Sequence, residues 1–257
     1  MIMLRYAAAS DVGRVRQGNE DSAYAGQRLL AVADGMGGHV GGEVASSAAV
    51  AVVASLDHEH PADLAAAAEA GVHRANRRLR ELVAQDPSLT GMGTTLTLML
   101  WDGLHVALAH IGDSRAYLLR EGDLYQITYD HTLVQTLMDD GRITAEEAAR
   151  HPHRSILLQV LDGSESIEVD LSLRDAEVGD RYLLCSDGLS GVVDANRLRH
   201  VLATIDDLDT AARTLIELAC DGGGPDNITC VLADVVDEPG PAQDTPVIVG
   251  AAEPQTP

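Results

Sequence analysis

The sequence contains no phenylalanine, and aromatic residues make up only 3% of its 257 residues. The hydrophobic core therefore has to be built mainly from alanine, valine, leucine and isoleucine. Apolar residues nevertheless reach 46% and charged residues 23%, which is the balance of a folded globular protein rather than a disordered one. The length is sufficient for one large domain or two small ones.

Basic residues are also scarce. The 40 Asp and Glu residues outnumber the 18 Lys and Arg residues, which gives a formal charge of −22 with histidine neutral. This excess disfavours a nucleic-acid partner and an anionic membrane surface, because both are bound through surplus Lys and Arg. It is compatible with a site that gathers carboxylates around divalent metal ions.

Long apolar runs and an even set of cysteines are missing as well. The longest apolar stretch, residues 44–56, contains three serines and is too short to cross a bilayer. The N-terminus has no long apolar core and no small-residue cleavage site, so we expect no secretory signal. Cys185, Cys220 and Cys230 lie in apolar segments, and we interpret them as buried thiols. Together these absences predict a cytoplasmic protein without membrane insertion.

The pattern of strands and helices predicts an α+β fold. Helical candidates are residues 43–56, which are apolar nearly all round, and 63–83, whose apolar residues recur close to the 3.6 period, followed by 131–139, 144–150, 194–203 and 208–220. Strand-like runs cover residues 3–9, 29–33, 94–101, 104–110, 115–120, 124–128, 167–173, 181–185 and 227–235. Short turns containing Asp102–Gly103 and Gly122 join neighbouring runs, which indicates mainly antiparallel sheets. Two sheets with helix pairs outside them would bury all the apolar faces.

The composition changes after Val236. Five of the nine prolines lie within residues 238–257, and this segment shows little periodicity. We therefore expect residues 1–236 to form one folded domain and residues 237–257 to be a disordered tail or the stub of a linker.

Five separate segments each place an aspartate at the end of an apolar strand. They are Asp21, Asp34, Asp113, Asp187 and Asp226. Any one Asp–Gly pair among them is most simply a turn. However, a carboxylate at the rim of a core is costly unless a cation or a proton compensates it, and five such residues make turns alone an insufficient explanation.

Oxygen ligands without paired His or Cys favour hard cations, Mg²⁺ or Mn²⁺. Two such ions bridged by a carboxylate and a water generate hydroxide near neutral pH. Arg16 stands in GRVRQGNED, just before the adjacent acids Glu20 and Asp21, and can bind an anionic substrate group such as a phosphate ester. The alternative is a solvated loop with a surface ion pair.

Six motifs in order carry a specific resemblance: RQGNEDS, ADGMGGH, GMGTT, GDSR, CSDGLS and GGGPDN. Over residues 3–236 the chain resembles the metal-dependent Ser/Thr protein phosphatases, the phosphatase 2C-like family, in its bacterial branch. The resemblance implies a four-layer α-β-β-α sandwich and hydrolysis of phosphoserine and phosphothreonine by direct attack of a metal-activated water. It also implies that residues 131–165 form a mobile flap beside the site, with Gly141 and Gly163 as hinge points.

The resemblance also implies metal ligands. Asp34 would bridge two ions, and the carbonyl of Gly35 would bind one of them. Asp187 and Asp226 would complete the first ion's ligands. Asp113, together with Asp187, would hold a third ion. The implied cofactors are two or three Mn²⁺ or Mg²⁺ ions.

Four further roles follow from the same resemblance. Glu20 and Asp21 would hold metal-bound waters or bind an ion directly. Arg16 would grip the substrate phosphate with two hydrogen bonds, and Asn227 would orient its neighbour Asp226. The implied partners are phosphorylated proteins, including Ser/Thr kinases, and we expect a monomer.

One position departs from the family pattern. Many members have a histidine directly after the bridging Asp–Gly, and that histidine is thought to protonate the leaving group. This chain has Met36 there, which cannot donate a proton, and His39 follows three residues later. His39 is a candidate acid, while the alternative is that it only packs beside the following helix.

Two other functions are compatible with parts of the pattern. A pseudophosphatase or binding module would keep the fold without the activity, but all the metal-binding aspartates are present. A two-metal hydrolase of nucleotides or nucleic acids would use similar ligands, but the net charge and the lack of a basic groove disfavour it.

Overall fold

The computed structural model describes residues 2–37, 41–237, 243 and 245–254. Within these residues the chain forms twelve β-strands and seven α-helices. The strands are β1 (Ile2–Asp11), β2 (Asp21–Ala25), β3 (Leu29–Met36), β4 (Gly93–Thr94), β5 (Leu96–Trp101), β6 (His105–Ile111), β7 (Arg115–Arg120), β8 (Asp123–Gln126), β9 (Asp170–Asp175), β10 (Arg181–Cys185), β11 (Ile228–Asp237) and β12 (Val247–Gly250). The helices are α1 (Gly41–Val53), α2 (Leu64–Gln85), α3 (Leu133–Asp139), α4 (Ala145–Ala149), α5 (Asp187–Ser190), α6 (Ala195–Thr204) and α7 (Leu208–Asp221).

The strands form two antiparallel sheets. The first sheet has the order β1-β11-β10-β7-β8, and the second has the order β12-β2-β3-β5-β6-β9, with β4 paired to β3. Every strand pairing among the described residues is antiparallel, as the short connections predicted. Helices α1 and α2 cover the second sheet, and α7 packs on β1 and β11 of the first.

The alternation of side chains along the inner strands explains the four layers. In β3, Leu29, Ala31 and Ala33 face helices α1 and α2, whereas Leu30 and Val32 face the other sheet. Because both faces are covered, the strand has to be apolar at consecutive positions, which is the pattern seen in the sequence. The predicted α-β-β-α sandwich is therefore confirmed.

The core is built largely without aromatic residues. The layer between the sheets contains Tyr182 and Trp101 among smaller aliphatic side chains. Cys185, Cys220 and Cys230 are buried free thiols, as predicted. No helix in the described part of the chain is long and apolar enough to cross a membrane.

The two predicted hinge glycines of residues 131–165 differ in how they are held. Gly141 adopts a left-handed conformation (φ +66°) with open space around it. Gly163 is anchored to α2, because its N–H donates to Asn76 Oδ1 (2.8 Å) and its carbonyl accepts from Arg80 Nε (2.8 Å). The backbone of Arg80 leaves no space for a side chain at Gly163. A hinge role for either glycine stays a prediction.

The expectation of a disordered tail over residues 237–257 is wrong where the structure describes that segment. Strand β12, Val247–Gly250, pairs antiparallel with β2. Val247 and Val249 pack against the layer between the sheets, and Ile248 packs on the helix side. A four-residue strand gives little signal in the sequence. Strand β12 is stabilised by pairing with the edge of β2, which would otherwise be open.

Hydrogen bonds fix the tail at both ends of β12. The Tyr6 hydroxyl donates to the carbonyl of Gln243 (2.8 Å) and to that of Thr245 (3.2 Å). After the strand, the Ala251 N–H donates to the carbonyl of Asp21 (2.7 Å). The tail thus contacts the residue at the start of β2.

We expect deletion of residues 238–257 to destabilise the domain. Half-buried Val247, Ile248 and Val249 contribute roughly 2–4 kcal/mol together, and the ordering of the segment offsets part of this. A net loss of about 1–3 kcal/mol corresponds to a melting temperature lower by about 2–10 °C. Thermal unfolding followed by circular dichroism measures it, with deletion of residues 255–257 as the control. Equal melting temperatures for both deletions would contradict the docking of β12.

Candidate active site

The topology brings the five aspartates to one edge of the sandwich. Asp21 begins β2 and stands opposite Asp34 in β3. Asp113 follows β6, Asp187 follows β10, and Asp226 precedes β11, which pairs antiparallel with β10. Since one antiparallel strand ends where its neighbour begins, these positions share an edge.

A cavity of about 220 Å³ opens at this edge. It brings together most of the residues that the sequence singled out: Arg16, Glu20, Asp34, Gly35, Asp113, Asp187 and Asp226. Met36, Gly37 and Thr95 also line it, and Ser155 and Leu157 reach it from residues 131–165. Asp21 and Asn227 are not among its lining residues. His39 lies outside the described residues.

Two threonines hold the main chain of Asp34. The Asp34 N–H donates to Thr95 Oγ1 (3.0 Å), and Thr94 Oγ1 donates to the Asp34 carbonyl (2.9 Å). Thr95 Oγ1 also lies 2.7 Å from Ser114 Oγ, next to Asp113. The two threonines of the GMGTT motif therefore support the backbone of Asp34 and leave its carboxylate for other partners.

Glycine is required directly after Asp34. A Cβ atom at Gly35 would lie 2.2 Å from the Gly42 carbonyl oxygen and 2.5 Å from that of Glu20. The Gly35 N–H donates to the same Glu20 carbonyl (3.1 Å). The first turn of α1 and the acidic loop therefore close tightly around this position.

Asp21 lies behind the cavity rather than in its wall. Its side chain is only 1% exposed, and Ser186 Oγ donates to its Oδ2 (2.7 Å). Burial, reinforced by the charges of Asp187 and Asp226, raises the pKa of Asp21 to about 7. Sequence reasoning did not find Ser186, which has no spacing signal but stands directly before Asp187.

Asn227 acts differently from the expectation. Its backbone N–H, not its side chain, donates to Asp226 Oδ1 (2.9 Å). The side-chain oxygen accepts from the Glu20 N–H (2.8 Å), and Nδ2 donates to the carbonyls of Val12 and Gly18 (both 2.9 Å). Asn227 therefore fastens the loop that carries Glu20 beside Asp226.

Arg16 forms an ion pair with Asp226 across the cavity. Its Nη2 lies 2.7 Å from Asp226 Oδ2, and half of its side chain is exposed. The hydrogen bond to Asp226 is the main reason that the pKa of Arg16 is raised. The guanidinium has further N–H donors, so it can bind an anion at the cavity mouth.

The carboxylates of the site repel one another and are partly withdrawn from water. Burial, followed by the charges of Asp21 and Asp187, raises the pKa of Asp34 well above its usual value. Burial and the charge of Asp187 raise the pKa of Asp113 to about 7, and burial also raises the pKa of Asp187. A cluster of this kind is stabilised by protons or by cations.

The donor set fits Mg²⁺ or Mn²⁺. The carboxylates of Asp34, Asp113, Asp187 and Asp226 offer oxygen donors, which suit hard cations. In the described part of the chain, no three Asp, Glu, His or Cys side chains are arranged as they would be around one bound ion. Mg²⁺ needs no such cage, because one or two carboxylates commonly hold it while it keeps several waters.

Comparison with known proteins gives the same identification as the motifs. The family model for protein phosphatase 2C matches residues 13–219. The serine/threonine protein phosphatase PstP of Mycobacterium tuberculosis is 54% identical over 251 residues, 97% of this chain and 48% of PstP. The serine/threonine phosphatase stp of Listeria monocytogenes is 36% identical over 235 residues, 88% of this chain and 93% of that protein. This chain spans about half the length of the mycobacterial relatives.

Solved structures share the fold. The crystal structure of M. tuberculosis PstP/Ppp matches with a TM-score of 0.89 and 53% identity, over 91% of this chain and 100% of that one. The PstP catalytic domain in complex with two manganese ions matches with a TM-score of 0.87 and 53% identity, over 92% of this chain and 100% of that one. The family model covers most of the chain and the structures share its sandwich, so this protein is a bacterial-type member of the protein phosphatase 2C family.

Proposed function

We propose that this chain is a metal-dependent protein serine/threonine phosphatase. It hydrolyses phosphoserine and phosphothreonine in proteins by direct attack of water on phosphorus, without a phosphoenzyme. The observation that carries the proposal is the convergence of Asp34, Asp113, Asp187 and Asp226 on one cavity that Arg16 also lines. The relatives' activity as Ser/Thr phosphatases supports it.

The residues that would hold the ions follow from the cavity wall. Asp34, the Gly35 carbonyl, Asp187 and Asp226 would hold two ions, with Asp34 shared between them and water supplying the remaining ligands. Asp113 and Asp187 would hold a third. When bound, such ions lower the pKa of water and neutralise phosphate charge. Manganese in the related PstP catalytic domain supports this assignment.

The chain's own groups would bind the phosphate and keep the site ordered. Arg16 would bind phosphate oxygens through its planar fork of N–H donors. Thr95 and Asn227 hold the main chain beside Asp34 and Glu20, so the carboxylates need little reorganisation. The cysteines are unsuited to covalent catalysis, since burial raises the pKa of Cys185 to about 12.

Phosphate release from substrates of different classes tests the proposal. We expect turnover of a phosphoserine peptide with Mn²⁺ and none of a dinucleotide. Turnover of the dinucleotide alone would favour a nucleotide hydrolase. Inactivity towards both substrates and towards p-nitrophenyl phosphate would favour the pseudophosphatase alternative, which none of the relatives supports.

His39 is our proposal for the acid that protonates the leaving group, since Met36 in the cavity wall cannot donate a proton. A serine alkoxide needs this proton, whereas p-nitrophenolate leaves unaided. We expect His39→Ala to slow hydrolysis of a phosphoserine peptide by about 10²-fold and to spare p-nitrophenyl phosphate. Equal losses on both substrates, or none on either, would exclude the acid role and favour water as the proton source.

The physiological partners remain proposals based on the bacterial resemblance. We propose that phosphorylated Ser/Thr kinases and their substrates are dephosphorylated, and that the domain acts as a monomer in the cytoplasm. Loss of phosphate from an autophosphorylated kinase, followed by mass spectrometry, tests the first point. Sedimentation velocity tests whether the domain is a monomer.

A further inference from the structure

The loop that carries Asp113 is held from both sides by two consecutive residues. Before Asp113, the Gly112 N–H donates to His131 Nδ1 (3.1 Å), and the His131 N–H donates to the Gly112 carbonyl (2.8 Å). After Asp113, Arg115 donates from Nε (3.0 Å) and Nη2 (2.6 Å) to the carboxylate of Asp130. Asp130 and His131 therefore bracket Asp113.

The hydrogen bonds that Asp130 and His131 form with the loop of Asp113 are strong and directional. Asp130 and His131 are each 7% exposed, so water competes little for their hydrogen bonds. The pair of Arg115 and Asp130 is a bidentate ion pair between a guanidinium and a carboxylate. On its other side, His131 Nε2 lies 3.1 Å from Asp170 Oδ2 in β9. When His131 carries its proton on Nε2, it donates that proton to Asp170. Nδ1 is then free of a proton and accepts the hydrogen bond from the Gly112 N–H.

His131 is also the first residue of the flap segment, which we define as residues 131–165. The His131 carbonyl accepts from the Leu158 N–H (2.8 Å), and Thr132 forms a β-bridge with Leu157. Leu157 lines the cavity together with Asp113. One residue, His131, thus contacts the loop of Asp113 and the part of the flap segment that returns to the cavity.

We infer that Asp130 and His131 are positioning residues that couple the flap segment to Asp113. They set the position of the Asp113 carboxylate and that of the segment together, so a displacement of one moves the other. Binding of an ion at Asp113 then orders the segment, and an ordered segment strengthens binding of that ion by the same factor. The inference rests on the proposed function in one respect, the assignment of Asp113 as an ion ligand.

Substitutions at His131 separate the hydrogen bond from the bulk of the side chain. His131→Ala removes the acceptor for Gly112, whereas His131→Asn keeps an acceptor near the position of Nδ1. Asp130→Asn weakens the contact to Arg115 independently. His105→Ala is the matched control, because the His105 side chain is half-exposed and begins β6, at the end of that strand away from Gly112.

Two measurements on the folded protein follow the coupling without using activity. Isothermal titration calorimetry with Mn²⁺ counts the ions and gives their affinities. Trypsin digestion with and without Mn²⁺ follows the flap segment, since all three of its arginines are exposed. They are Arg142, Arg150 and Arg154.

We expect His131→Ala and Asp130→Asn to weaken the weakest Mn²⁺ site at least ten-fold, within the 10–100-fold range for partners of metal ligands. Trypsin should cleave both variants faster in the flap segment, and Mn²⁺ should no longer protect that segment from cleavage. His131→Asn should retain most of the affinity, and His105→Ala all of it. Circular dichroism melting curves identify variants that fail to fold, and in that case Asp170→Asn, which acts on Nε2 alone, should show the same effects more weakly.

Asp113→Asn distinguishes the two ways in which the inference can fail. If Asp113→Asn weakens one Mn²⁺ site but folded His131→Ala and Asp130→Asn change neither affinity nor protection, the coupling is wrong and the proposed site stands. If Asp113→Asn leaves Mn²⁺ binding unchanged, the assignment of Asp113 is wrong and the coupling falls with it.

Discussion

Asp34→Asn should lower the rate of phosphoserine hydrolysis by about 10³-fold or more at saturating Mn²⁺. Asp34 is the carboxylate that would be shared by two ions, and ions at such a site supply several kcal/mol of transition-state stabilisation. A loss of about 4 kcal/mol is a factor of about 10³ in rate. Chelation of metal from the unchanged protein should give a loss of the same order, and phosphate release from a phosphoserine peptide measures both.

The same substitution should stabilise the metal-free protein. The pKa of Asp34 is raised on folding, so the folded state binds more protons than the unfolded state between the unfolded and folded pKa values. The contribution of Asp34 to stability is thus largest at low pH and is lost as pH rises through that window. Asparagine carries no charge at any pH, so the variant should melt higher at pH 7.5 without metal and lose less stability between pH 5 and 7.5.

Asp209→Asn is the control for the charge change, because Asp209 is exposed in the first turn of α7 and far from the cavity. It should change neither the rate nor the pH dependence of melting. If the metal-free Asp34→Asn variant has a lower melting temperature than the unchanged protein, its loss of activity would result from a damaged fold rather than from loss of a metal ligand. Activity in the presence of excess chelator would contradict the proposed use of metal ions.

The sequence predicted the site better than it predicted the C-terminal segment and strand β2. Asp34 lies near the end of β3, and Asp187 follows β10. Apolar layers cover both faces of these strands, so the apolar run before each aspartate is continuous and its end is easy to recognise. Strand β2 was missed because its polar residues look like a loop. Ser22 is 2.9 Å from Ser46 Oγ, and the Tyr24 hydroxyl donates to Asp57 (3.1 Å), so α1 and its neighbours satisfy them.

Contacts between distant segments carry no signal in a single sequence. Asp130 and His131 lie between β8 and α3, where their spacing matches no metal or catalytic motif. Their function in holding the loop of Asp113 depends on hydrogen bonds to the backbone of Gly112 and to Arg115, which only the folded chain brings near. Strand β12 was missed for the same reason, since its partner edge lies more than 200 residues earlier.

Arg16→Ala should lower kcat/KM for phosphate esters by roughly 10- to 150-fold, mainly through KM. Arg16 lines the cavity at its half-exposed mouth, where it would contact the phosphate already in the ground state, and loss of such uniform binding raises KM more than it lowers kcat. A charge-assisted contact is worth about 1.5–3 kcal/mol. Arg16→Lys should recover only part of the loss, because lysine keeps the charge without the planar fork.

The ion pair with Asp226 makes the controls for Arg16 important. Arg16→Ala also removes the partner of the Asp226 carboxylate, so a changed Mn²⁺ affinity could imitate a phosphate effect. Kinetics at several Mn²⁺ concentrations separate the two, since a defect in metal binding disappears at saturation and a defect in phosphate binding does not. Arg14→Ala makes the same change in charge two residues away, outside the cavity lining, and should stay within about two-fold of the unchanged protein. A kcat/KM for Arg16→Ala equal to that of Arg14→Ala at saturating Mn²⁺ would show that Arg16 does not bind the phosphate.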